Sequence, residues 1–203
     1  MNNSILRWLW MLPLVLFISA CGSSPRSNYY ILTAGSGSGT PPAGETPSLG
    51  IGPMQIPEYL NRSNLVYHRQ GNSLEISNTE NWAEPLDEGI TRVIAINLAQ
   101  LLNTQDVRFF PWHPKRAPDY GVKVNLLSLD ASDRQATLAA EWLVYRTANA
   151  QTVRRRVSRL HHPLPEGDTG PGQIAPAYSQ LLWLLSKLIA EAVSDDMEAP
   201  ADR

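Results

Sequence analysis

The sequence predicts a single α+β domain, a mainly antiparallel sheet covered by two principal helices, following a short N-terminal leader. Three observations carry that reading. Two segments, 85–103 and 176–195, repeat apolar residues at spacings of three and four, the period of a helix with one buried face. Several shorter segments alternate apolar with polar or small residues, as a strand with one buried face does. The stretches between them hold much of the chain's 13 glycines and 16 prolines, residues that punctuate turns and loops. With 43% apolar residues among 203, the chain can build one proper core.

The leader has the three parts of a secretory signal: a polar start with Arg7, an apolar stretch from Trp8 to Ile18, and small residues before a cut. That stretch is too short to cross a hydrocarbon core, which needs about 20 residues. It closes on Ile18-Ser19-Ala20-Cys21, which reads as a bacterial lipobox and contains the only cysteine of the chain. The alternative is an ordinary signal peptide with a chance cysteine. Lipidation is favoured because the one cysteine falls at this position. Residues 1–20 are then a lipoprotein signal peptide, Cys21 is the lipid attachment site, and 21–28 is a lipidated tether. The part after Cys21 can reach no farther than about 25 Å at roughly 3.3–3.6 Å per residue. Glycine rather than aspartate follows Cys21, so the expected address is the periplasmic face of the outer membrane. With its thiol acylated the mature chain forms no disulfide. The formal charge of −2 gives no polyanion footprint, so nucleic acid is not expected as a partner.

The domain is expected over 29–196. Tyr29 to Leu32 reads as a first strand. Ala34 to Ser48 is a flexible Gly/Ser/Pro loop, which matches no phosphate-loop pattern. Leu49 to Gly52 is extended, and Pro53 and Pro57 keep the adjoining residues out of a helix. Leu65–Arg69 and Ser73–Ser77 form a hairpin about Gly71. A helix starts with Pro85 at its first position and Asp87 and Glu88 at the positive end of its dipole. Leu86, Ile90, Val93, Ile94, Leu98, Leu101 and Leu102 share its buried face. After a short strand at Val107–Pro111, Tyr120–Leu129, Gln135–Arg146 and Thr152–Leu160 make an antiparallel meander. The closing helix from Pro176 to about Asp195 buries Tyr178, Leu181, Leu182, Leu185, Leu188, Ile189 and Ala192. Residues 197–203 are a frayed tail.

Signs of catalysis are few. No G-x-S-x-G and no H-E-x-x-H occurs, and neither a cofactor nor a metal is implied. His161 and His162 are adjacent in a strand and project to opposite faces, a poor arrangement for one metal. Arg154, Arg155 and Arg156, with Arg146 and Arg159, concentrate positive charge on the last hairpin. They either protect an edge strand from mispairing or dock lipid phosphates or acidic residues of a partner. Trp183 and Leu184 point away from the closing helix's apolar stripe. They either pack under the loop from Pro163 to Gly172 or anchor an interface with another chain.

Three segments resemble a known family: Asn28-Tyr29-Tyr30-Ile31-Leu32, Ile56-Pro57-Glu58-Tyr59-Leu60-Asn61-Arg62, and Trp82-Ala83-Glu84-Pro85-Leu86-Asp87-Glu88. In order and spacing they are similar to the ABC-type transport auxiliary lipoproteins of the paraquat-inducible protein C (PqiC) type. The resemblance implies a non-enzymatic outer-membrane lipoprotein that partners a periplasmic MCE-domain protein of an ABC-type transporter in lipid transport between membranes, and that can assemble as a homo-oligomeric ring. Of the motif residues, Pro57, Tyr59, Leu60, Trp82 and Pro85 read first as fold determinants. Trp82 would act as a staple before the helix, and Arg62 would neutralise Glu84 or Glu58. The same residues could instead form a partner surface. Two other functions remain open on the residues alone: an assembly or pilot lipoprotein for an outer-membrane barrel or secretin, and a periplasmic hydrolase with an unrecognised site.

Overall fold

The structure, a computed structural model of the chain, describes residues 26–36, 46–70, 72–132, 134–165 and 170–199. The signal peptide, Cys21, the centre of the Gly/Ser/Pro loop and residues 200–203 lie outside them. The strands are β1 (Asn28–Tyr30), β2 (Leu49–Gln55), β3 (Asn64–Gln70), β4 (Ser73–Trp82), β5 (Val107–Phe109), β6 (Tyr120–Ala131), β7 (Gln135–Arg146) and β8 (Thr152–Pro163). The helices are α1 (Leu86–Leu101) and α2 (Pro171–Glu198), with short 3₁₀ turns at Glu58–Leu60 and Pro114–Arg116.

The expected α+β class and two principal helices are present, but the strands form two mixed sheets instead of one mainly antiparallel sheet. A five-stranded sheet has the order β5-β2-β6-β7-β8 and a three-stranded sheet the order β1-β4-β3. The meander β6-β7-β8 and the hairpin β3-β4 are antiparallel as expected. However, β1 pairs parallel with β4, and β2 lies parallel between β5 and β6. Parallel partners need long crossovers; the hairpin β3-β4 together with α1 supplies the one from β2 to β5. Alternation within a strand reports which face is buried and says nothing of which strand lies beside it.

Both helices cover one face of the five-stranded sheet. Against them that face presents Ile51, Val122, Val124, Leu126, Leu138, Ala140, Trp142 and Val144, all buried. Trp142, 1% exposed, satisfies its indole by donating to Ser158 Oγ across the strand pair at 2.9 Å, as a buried N–H must. Helix α1 begins at Leu86, one residue after the expected start, with Pro85 as its N-cap. Its end is sharply defined. Asn103 adopts φ 50°, its N–H donates to Gln100 O, and Thr104 N–H donates to Ala99 O. This is the Schellman arrangement with asparagine in the left-handed position. Helix α2 runs past both expected ends. Met197 and Glu198, expected to fray, are its last residues, and Asp196 just before them accepts from Tyr120 Oη at 2.8 Å and Arg146 Nε at 2.9 Å.

The small sheet attaches at several points. Strand β4 continues beyond Ser77 to Trp82, which is 6% exposed and stacks on Tyr178 of α2 with ring centroids 6.2 Å apart. His68 Nδ1 of β3 lies 3.1 Å from Asp130 Oδ1 of β6, and Tyr59 Oη donates to the same oxygen at 3.2 Å. This carboxylate–histidine pair joins the two sheets. Burial and the neighbouring carboxylate of Asp130 push the Tyr59 hydroxyl up to about 12.

Strand β1 is held by its edge partner: Tyr30 Oη donates to Glu80 Oε2 at 2.6 Å, and Asn28 Nδ2 donates to Glu80 Oε1 at 3.0 Å. The bond from Tyr30 lowers the Glu80 carboxyl and, reciprocally, raises the Tyr30 hydroxyl to about 12. The stability from Glu80 is present above its unfolded value and lost as pH falls through its lower folded value; that from Tyr30 is present below about 10 and lost as pH rises from there through about 12. Replacing Tyr30 by phenylalanine should cost about 1 kcal/mol at pH 7, the modest size of a solvent-screened hydrogen bond to a charged group. It should also remove the extra loss of stability above pH 10, as followed by chemical unfolding at graded pH.

Candidate docking surface

After β1 the chain stops being a strand, and residues 31–36 run as a strap over both helices. Leu32 is buried to 1% exposure. Around it three side chains take up the strap's backbone groups. Arg92 Nη2 of α1 donates to Leu32 O at 2.9 Å, Ser179 Oγ of α2 accepts from Thr33 N at 3.1 Å, and Asn97 Oδ1 of α1 accepts from Gly35 N at 2.9 Å. Asn97, fully buried, also donates to Ser186 Oγ of α2 at 3.3 Å. One strap therefore fastens the N-terminal segment to both helices, in part through the buried polar side chains of Asn97 and Ser179.

The strap also decides what becomes of Trp183. Its indole lies against Gly35 so closely that a Cβ there would sit 2.5 Å from two ring carbons. Only glycine permits that approach. Neither expectation for Trp183 describes this packing, because its ring lies against Gly35 of the strap. Leu184 is likewise partly buried. Composition marks all of Ala34–Ser48 as a linker, whereas its first residues pack on the helices.

The motif residues separate into two groups. Trp82 and Leu60 are core, Tyr59 bonds Asp130, Pro57 precedes the 3₁₀ turn, and Pro85 caps α1. Glu84 is not paired with Arg62. It forms an ion pair with Arg92, the same arginine that binds Leu32 O, so the motif glutamate orients the strap's anchor. Arg62 is exposed and has no ion pair among the described residues. Sequence reasoning missed Arg92, Asn97 and Ser179. The signal for Asn97 was present, since a polar residue stands on the apolar stripe of α1 between Ile94 and Leu98.

The arginines of the last hairpin also divide. Arg146 pairs with Asp196 at 2.9 Å, Arg154 with Asp195 at 3.0 Å, and Arg155 with Glu141 at 2.9 Å. Arg156 and Arg159 are exposed and without an ion pair among the described residues. Between them Val157 is 67% exposed. A second exposed cluster, which in sequence looks like no more than part of a strand, holds Phe109 and Phe110, with Phe110 edge-on to Trp112 at 5.5 Å. No helix among the described residues is long and apolar enough to cross a membrane, and no His/Cys/Asp/Glu cluster suited to a metal occurs among them.

Two solved structures share this architecture of two helices over a mixed sheet. A Xanthomonas campestris protein of family DUF330 superposes with TM-score 0.71 at 11% identity, covering 85% of this chain and 99% of its own. A second, uncharacterised protein gives TM-score 0.65 at 19% identity, covering 83% of this chain and 99% of its own. At such identities the likeness establishes the fold. The sequence goes further: residues 29–190 match the model of the ABC-type transport auxiliary lipoprotein component. The chain belongs to that family of membrane-anchored lipoproteins. No curated protein matches its sequence significantly.

The strap's fit predicts a coupling. Gly35→Ala should destabilise the domain by about 1–3 kcal/mol through overpacking. The same change in a Trp183→Ala background should cost under half as much, read as the interaction free energy of a double-mutant cycle in urea unfolding.

Proposed function

We propose that this lipoprotein is the outer-membrane subunit of an MCE-type intermembrane lipid transport system and docks the periplasmic MCE tunnel at that membrane. The observation that carries this reading is the family match beginning at residue 29, directly after a lipobox at Cys21 and a tether too short to let the body leave the membrane face. The contribution is positional. Acyl chains gain about 0.8 kcal/mol per buried CH₂, and more than one chain makes anchoring stable. Confinement to a thin layer then raises the effective concentration of the docking surface for a tunnel that ends there. Exposed Arg62, Arg156 and Arg159 offer charge that the domain's own carboxylates do not consume. No step requires a nucleophile, base or cofactor from this chain, and a homo-oligomeric ring would repeat the docking surface around the tunnel.

Purification of the tagged full-length chain from detergent-solubilised membranes should bring down an MCE-domain protein. Recovery of an outer-membrane barrel or a secretin in its place would overturn the assignment. Cys21→Ala should leave thermal unfolding of the body unchanged, release the protein from the outer membrane, and abolish its function in cells; full activity of that soluble form would contradict a positional role.

A further inference from the structure

We propose that the free edge of β8 is a docking strand, to which an extended acidic segment of a partner protein adds as a further strand of the five-stranded sheet. β8 is outermost in that sheet and has 12 residues, as many as β6 and β7. No backbone hydrogen bond among the described residues reaches its outer side. Such an edge presents a row of unpaired N–H and C=O groups, the template used in strand addition.

Proteins usually blunt edges by shortening, bulging or interrupting them. The opposite edge of the same sheet obeys that rule, since β5 has 3 residues. β8 does not. Its pairing with β7 is irregular only at Val144/Tyr145, next to its start, and its sole proline is its last residue. The centre, from Arg155 to Leu160, is regular and open. What remains as protection is charge, and that charge is selective. Asp195 and Glu141 already neutralise Arg154 and Arg155, leaving Arg156 and Arg159 on either side of exposed Val157.

Charge also decides the occupant. β8 contains no Asp or Glu, so a second copy of it paired antiparallel about Val157 would leave Arg156 and Arg159 of both copies unanswered. An acidic strand meets the reverse situation. Arg155, Val157 and Arg159 lie on the sheet face shared with Leu143, Glu141 and Ala139, while Arg156 lies on the face shared with Trp142. The matching segment therefore reads apolar opposite Val157 and acidic opposite Arg159 on one face, and acidic opposite Arg156 on the other. The side-chain face gives specificity and the backbone gives affinity. This inference rests on the docking reading above only for the identity of the partner that carries the segment.

The test uses full-length protein in detergent and a fluorescent ten-residue peptide with valine opposite Val157, glutamates opposite Arg156 and Arg159, and threonine elsewhere. Binding should be saturable and should weaken about tenfold or more in the double variant R156E/R159E, whose unfolding midpoint stays that of the parent. N-methylation of the peptide amides on the edge facing β8 should abolish binding, whereas N-methylation on the other edge should not. Equal binding of both N-methylated forms, or undiminished binding to the charge-reversed variant, would overturn the proposal. So would no binding to the parent protein, or equally tight binding of a peptide copying residues 152–163, which would make a second copy the occupant. Because the assay contains no transporter component, its failure leaves the co-purification result standing, and the reverse holds too.

Discussion

The strap at residues 31–36 is the constraint on which the rest of the structure depends. It joins the N-terminal segment to α1 through Arg92 and Asn97 and to α2 through Ser179 and Trp183. The three bonds are partly buried, where a backbone group gains from a protein partner. Those partners are polar residues placed on otherwise apolar helix faces. Arg92 is in turn held by Glu84, just before α1. A pull on the N-terminal segment is thus delivered to the two-helix layer as a whole.

With one face of the large sheet sealed by those helices, the remaining surfaces are the outer sheet face and the edges. The two edges are treated differently. β5 is short and flanked by the aromatic cluster of Phe109, Phe110 and Trp112, whereas β8 is long, regular and guarded only by arginines. Most of that positive charge is answered within the chain, by Glu141, Asp195 and Asp196. The cluster that looks like one basic patch in sequence is, in three dimensions, a set of tied arginines around a small unanswered remainder at Arg156 and Arg159. A partner would read this remainder.

Much of the architecture was legible because it rests on local periodicity. The stripe from Leu86 to Leu98 and the alternation from Leu138 to Val144 each required one buried face, and each has one. Parallel pairing of β1 with β4 and of β2 with β5 and β6 was not legible, since lateral order depends on crossover geometry rather than on side-chain alternation. The placement of Trp183 was hidden for a related reason. Helical phase shows which side of α2 it occupies, but its cover comes from Gly35, far away in sequence and inside a stretch whose composition resembles a linker. Likewise Arg62, in the preceding motif segment, is not the partner of Glu84; Arg92, two turns into α1 and outside all three segments, is the better-placed cation. Family membership was readable from the segments around Tyr30, Tyr59 and Trp82, and those prove to be where the strap and the small sheet are secured.

On the proposed function, a lipid-tethered body holds the β8 edge where a periplasmic partner meets it. The most direct measurement is photocrosslinking in living cells, with a photoreactive residue at Val157 of the lipidated protein and one at exposed Ile96 of α1 as the control. The account predicts one discrete adduct from position 157, identified by mass spectrometry as an MCE-domain protein and absent from position 96. Adducts of equal yield from both positions, or an adduct from 157 only with a second copy of this chain, would contradict it.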